Sequence, residues 1–311
     1  MEFKKVMTIG SLVLASTFVL AACGGGNDTK KDSSDSKTSE VAKDSSKKES
    51  KEMVKTAGGE LKDGTYTLEE KNFDDKGWKV NFSMTVKDGK ITKSDYDYLD
   101  KDGKKKSEDK AYQKAMSEKT KEKIGPADYI PALNEELVKA QDAASVDVVS
   151  GATHSSEAFR NYAQQLVQAA QAGKTDKIEI DNNADLKDGT YSLETKNASN
   201  GWTETFEMVV AGGKITESKY DGTNDKGELK SENKEYQENM SKIAKVGPAD
   251  YFPALNKGLV EKQNPGEVEV VSGATHSSES FKLWAAQLIN AAEKGSQDKI
   301  VVDNIVMSEK K

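Results

Sequence analysis

Two stretches of this chain, VDVVSGATHSS at 146–156 and VEVVSGATHSS at 268–278, share nine consecutive identical residues. Each places a threonine, Thr153 or Thr275, behind a run of small residues: Ser150, Gly151 and Ala152 in one, Ser272, Gly273 and Ala274 in the other. The chain's two histidines, His154 and His276, follow directly. Small residues at the start of a helix leave backbone N–H groups uncovered. Those groups, with the positive end of the helix dipole, favour an anion and above all a phosphate. A threonine hydroxyl there can lie beside a phosphate or be bonded to it. Ser155 or Ser156 can cap the helix, while Glu157 brings a carboxylate that competes for the same field. The histidines can touch phosphate or a bound ring and assist protonation, or stand as solvent-exposed loop residues; both readings stay open. A Ser–His pair could imitate a hydrolase, but no orienting third residue or nucleophile elbow accompanies it.

Other chemistries lack their residues. Cys23 is the only cysteine, so a cysteine-bound haem, an iron–sulfur cluster and an internal disulfide are all excluded. Two histidines so far apart in sequence make a poor zinc site. No GxGxxG or P-loop is present. A net charge of -7 repels a phosphate backbone, so no nucleic-acid partner is expected. If electrons move here, a bound cofactor must carry them.

The elements that must position the loops occur twice. LKDGTYTLEEKN at 61–72 returns as LKDGTYSLETKN at 186–197, and GPADYIPALN at 125–134 as GPADYFPALN at 247–256. A period this long means tandem domains. Alternation predicts strands over 65–70, 80–86 and 91–98, the last two joined by the hairpin signal Asp88-Gly89. Helices are expected over 108–123 and 126–140, and a short buried strand over 146–149 leads into the loop. Beyond it, Phe159, Tyr162, Ala163, Leu166, Val167 and Ala170 share one helical face, as do Phe281, Trp284, Ala285, Leu288, Ile289 and Ala292. Gly173 and Gly295 suit the C-terminal caps, and a strand over 177–180 closes the unit. The fold class is α+β, two tandem repeats, each a mostly antiparallel sheet with packed helices. Tyr129 and Tyr251 lie two residues before a proline, and can wall a bound ring or sit in the core at a rigid helix start. Trp78 and Trp202 read as core or rim packing, and the lysine run 104–106 as a solvated turn.

The N-terminus carries Lys4 and Lys5, an apolar stretch from Val6 to Leu20, and Leu20-Ala21-Ala22-Cys23. This reads as a secretory signal, too short for a comfortable span. Residues 27–60 hold eight basic and eight acidic residues and almost no apolar ones, which describes a tether that cannot fold alone. Its mean span is roughly 30 Å and its full reach about 110 Å. The expected organisation is a signal peptide over 1–22, a lipidated cysteine and tether over 23–60, domains over 61–182 and 183–305, and a tail over 306–311.

Two resemblances follow from these residues. LAAC at 20–23 resembles a bacterial lipobox, which implies cleavage before Cys23 and a lipid on its sulfur. DVVSGAT at 147–153 resembles the flavinylation motif of FMN-binding domains: an acidic residue, two variable residues, Ser, Gly or Ala, Ala, Thr. The resemblance covers both units. It implies FMN joined through its phosphate to Thr153 and Thr275 by a separate flavin transferase that uses FAD and a divalent metal. The acidic position is Asp147 in the first unit but Glu269 in the second, which implies slower modification of Thr275 if the transferase prefers Asp. The whole chain is similar to lipid-anchored, twice-flavinylated proteins on the outer face of the membrane of Gram-positive bacteria. In extracellular electron transfer these carry electrons from a membrane NADH dehydrogenase and quinones to acceptors such as ferric iron. Residues 17–22 could also be released as a peptide pheromone. The rival readings are a lipoprotein that binds a small ligand or cell wall, and an extracellular flavin-dependent reductase of one small acceptor.

Overall fold

The computed structural model describes residues 53–56 and 58–309. The signal sequence, Cys23 and residues 24–52 lie outside the described residues. After strand β1 (Met53–Thr56), the first repeat runs β2 (Gly64–Glu70), β3 (Lys79–Lys87), β4 (Lys90–Leu99), α1 (Lys110–Ser117), α2 (Pro126–Ala140), α3 (Thr153–Ala172) and β5 (Ile178–Ile180). The second repeats that order as β6 (Gly189–Thr195), β7 (Thr203–Ala211), β8 (Lys214–Thr223), α4 (Lys234–Ala244), α5 (Pro248–Lys262), α6 (Thr275–Lys294) and β9 (Ile300–Val302); β10 (Val306–Glu309) follows. Each repeat holds a four-stranded sheet, β4-β3-β2-β5 or β8-β7-β6-β9, with three antiparallel strands and the last strand parallel to the first. This is the α+β layout expected from the sequence.

The local causes are plain. Asp88 and Gly89 both have positive φ, 53° and 69°, as a tight hairpin turn requires, and Gly212 and Gly213 repeat this at 61° and 71°. Alternation sends Tyr66 and Leu68 of β2, and Phe82 and Met84 of β3, into the core. There they meet the apolar face of α3, where Phe82 stacks on Phe159 with centroids 5.1 Å apart. Paired asparagines close each unit: Asn182 Oδ1 accepts from Asn72 N (3.0 Å) and Asn304 Oδ1 from Asn197 N (2.9 Å).

The structure differs from expectation in four places. Residues 146–149 are extended but form no strand: Val146 is buried, and Val149 N donates to the Ser156 hydroxyl instead of a sheet partner. The helix expected over 108–123 is only α1, because Asp109 caps it at Ala111 N and Tyr112 N, and Thr120 Oγ1 turns the chain by accepting from Ile124 N. Lys106 is not solvated. It is 6% exposed, its ammonium 4.3 Å from the centroid of Tyr98 and 4.4 Å from that of Tyr112. Finally, Met53–Thr56 of the expected tether pairs antiparallel with Val306–Glu309 of the expected tail. Ladder bonds join backbones from opposite ends of the chain, and local composition does not register them.

The repeats dock through α3 and α6. Arg160 Nη1 donates to Glu279 at 2.6 Å, and Lys282 Nζ lies 3.3 Å from Glu157, the same pair in reverse roles. Each cation also reaches a carbonyl of its own repeat, Ala144 O at 3.1 Å and Gly266 O at 3.4 Å. Further along, Asn290 Oδ1 accepts from Asn161 (2.8 Å) and Gln165 (3.1 Å). N-terminal halves thus meet N-terminal halves, so the helices run parallel and Thr153 and Thr275 stand at one end. At the other end of α3, Gln171 donates to Asp303 O (2.9 Å), next to Gly59, where the chain enters from its N-terminal segment. A 20-residue helix, roughly 30 Å long, separates that entry from Thr153.

Two outcomes are expected. Glu279→Ala leaves the Arg160 guanidinium mostly buried without its carboxylate and costs roughly 2–4 kcal/mol in urea unfolding, whereas Arg160→Met with Glu279→Leu recovers most of that loss. Glu70, whose carboxylate accepts from Tyr162 Oη (2.6 Å) and Val80 N (2.8 Å), is raised above its ordinary 4.5 by burial. The folded state therefore binds the extra proton, and this contribution to stability is present below about 4.5 and lost as pH rises through the raised value. Glu70→Gln should flatten that part of the stability profile, measured by unfolding between pH 4 and 8.

Candidate functional site

Both threonines are the first residues of their helices, and both are exposed. Ala152 and Ala274, the capping residues, offer no side-chain bond, and among the described residues nothing accepts from the N–H of Thr153, His154 or Ser155. Ser156 does not cap. Buried within the first turn, its hydroxyl accepts from Val149 N and donates to Ala152 O, both 3.0 Å, and Ser278 makes the same pair of bonds with Val271 N and Ala274 O. This staple folds the loop back while the first amides stay open. Glu157 does not compete for them, because Lys282 holds it.

The loop lies close against its own repeat. Gly151 has φ +83°, and a Cβ there would come within 3.0 Å of Glu122 Oε2; Gly273 has φ +85°, and a Cβ would meet Ala244 O at 2.6 Å. The segments before α2 and α5 therefore abut the loops, a neighbourhood that no motif announces.

The remaining expected residues divide. Ser150 and Ser272 are exposed beside the glycines, and Asp147 and Glu269 are exposed without a hydrogen-bond partner among the described residues. His154 lines a cavity of about 200 Å³ between the repeats, with Glu157, Arg160, Asn161, Glu279 and Lys282; His276 is exposed. Tyr129 and Tyr251 do not wall a ring: they are 1% and 0% exposed, so no ring face is open to a ligand. They lie under the loops, where Tyr129 Oη accepts from Ser155 at 3.3 Å and burial pushes its hydroxyl well above the usual tyrosine value. Trp78 and Trp202 are core residues, packed edge-on against Tyr112 and Tyr236. Arg160 belongs to no motif in the sequence. Its signal was composition, since it is the only arginine in the chain.

The pattern defining the FMN-binding domain matches residues 76–168 and 201–290. Together these exceed half of the chain, which therefore belongs to the FMN-binding domain family, in two copies. A stretch of 117 residues is 36% identical to the 15 kDa lipoprotein of Treponema pallidum (strain Nichols), covering 37% of this chain and 83% of that one. Two solved structures are similar: the CPE2226 protein of Clostridium perfringens (41% identity, 38% of this chain and 98% of that one, TM-score 0.37) and a protein of Clostridium thermocellum (27%, 35% and 92%, TM-score 0.24). No cluster of metal-ligating side chains and no helix long and apolar enough to cross a membrane occurs among the described residues.

The residues present fit FMN. Open amides, an exposed hydroxyl and glycines that let the backbone approach suit a phosphate on threonine. Gly273→Ala should cost more than Gly151→Ala, roughly 2–3 against about 1 kcal/mol in urea unfolding. Both strain φ, but only the former drives Cβ into a backbone carbonyl; the latter meets the movable end of Glu122.

Proposed function

We propose that this chain is an extracytoplasmic electron carrier, lipid-anchored through Cys23 on the outer face of the membrane, with FMN attached through phosphoester bonds to Thr153 and Thr275. The observation that carries this reading is the same device built twice: an exposed threonine at a helix start whose first amides have no acceptor among the described residues. Bound flavin supplies one- and two-electron chemistry. The open amides of residues 153–155 and 275–277 hold the phosphate, Ser156 and Ser278 keep the loops folded, and His154 stands where it can move a proton at the edge of the inter-repeat cavity. The name of the Treponema relative supports the lipid anchor.

The donor is a membrane NADH dehydrogenase and quinone system. The acceptors are extracellular, ferric iron among them, and a flavin transferase using FAD and a divalent metal attaches the groups. Thr153 and Thr275 stand at the end away from the chain's entry near Gly59, which suits delivery outward.

Coexpression with a flavin transferase, followed by denaturation and intact-mass measurement, tests the attachment. The expected result is a gain of two FMN groups, one lost in Thr153→Ala and one in Thr275→Ala, with in-gel fluorescence following suit. A colourless, unmodified chain contradicts it and favours a ligand-binding lipoprotein. Cys23→Ala should move the protein from the membrane fraction to the medium.

A further inference from the structure

The layer of hydroxyls beneath the two loops is not the same. In the first repeat Tyr96 Oη donates to Tyr98 Oη (2.8 Å), Tyr98 Oη donates to Ser155 Oγ (3.2 Å), and Ser155 Oγ donates to Tyr129 Oη (3.3 Å). The chain of donors thus passes through Ser155, two residues from Thr153, and ends on the buried Tyr129 Oη beneath the loop. The Lys106 ammonium lies over the ring of Tyr98 at 4.3 Å. In the second repeat the position of Tyr98 is Gly222, and its space is taken: a Cβ there would meet Lys230 Cβ and Cδ at 3.1 Å. Tyr220, the counterpart of Tyr96, donates instead to the Glu204 carboxylate at 2.5 Å, which also accepts from Trp284 Nε1 at 2.7 Å. In the first repeat the corresponding carboxylate sits on the neighbouring strand, where Glu70 accepts from Tyr162 Oη and Val80 N; its charge reaches Tyr96 and Tyr98, but it makes no hydrogen bond to either.

We propose that the two sites are unequal by construction: Tyr98 is a positioning residue that turns donor hydroxyls towards the Thr153 loop, so a flavin held there is reduced at a more positive potential than one at Thr275. A donor aimed at the loop favours negative charge gathering there on reduction, and a carboxylate in the same layer opposes it. Electrons on the chain therefore settle at the first site. The potential difference rests on the attachment proposed above; the role of Tyr98 in orienting Ser155 stands apart from it.

The test uses the mature chain and two readouts. Loaded Thr275→Ala and Thr153→Ala variants isolate the first and second sites, and spectroelectrochemical titration gives each potential. The first should be the more positive. Tyr98→Phe, which keeps the ring, should lower the first by a roughly two- to ten-fold change in the reduction equilibrium, the worth of one hydrogen bond, and leave the second in place. Equal potentials, the reverse order, or a first site indifferent to Tyr98→Phe overturns the proposal. On the unloaded chain, Tyr98→Phe should shift the amide resonance of Ser155 and not that of Ser277; an unmoved Ser155 signal overturns the positioning role. Failure of either single-acceptor variant to take up flavin overturns the attachment and the potential difference, while the amide comparison still decides the role of Tyr98.

Discussion

The reciprocal pairing of Arg160 with Glu279 and of Lys282 with Glu157 is the constraint on which the molecule depends. Side chains this enclosed cannot be left unpaired without a large desolvation cost. Each carboxylate comes from the first turns of one long helix and each cation from the other, so satisfying both pairs holds the helices side by side, and Asn161 and Gln165 meeting Asn290 further along sets them parallel. It also removes Glu157 from the anion field of its own helix, which leaves the starts of α3 and α6 electropositive. One set of contacts thus docks the repeats and clears the two loops.

The loops need little machinery beyond that. Ser156 and Ser278 staple the backbone from within, the glycines take left-handed φ, and the helices supply open amides. The threonines remain at the surface, while the aromatic core packs beneath each loop. Duplication preserves this device residue for residue, and the tyrosine layer beneath has diverged at Tyr98 and Gly222.

Much of this was legible in the sequence, for reasons that also explain the gaps. Period-two and period-3.6 patterns report burial directly, so β2 to β4, α2, and the apolar faces and glycine caps of α3 and α6 were readable. The loop was readable because identity across the repeats marked it. The extended run 146–149 was not, since an apolar strip without a sheet partner looks like a strand from sequence alone. Lys106 was misplaced because a lysine run usually marks solvent, and only three-dimensional neighbours reveal an aromatic enclosure. Proline-flanked aromatics such as Tyr129 and Tyr251 read as a rigid wall for a ligand, whereas the core holds both. The pairing of β1 with β10, and the docking of the repeats, depend on partners more than a hundred residues apart, and no local pattern encodes such distances.

Parallel docked helices place both threonine positions at one end of a single body, and a distance between them tests this most directly. Spin labels at Thr153→Cys and Thr275→Cys, with Cys23 replaced, should give one narrow, short distance distribution, as expected of helices whose axes lie roughly 8–10 Å apart. A broad distribution extending to the span of two independently tumbling domains would contradict it.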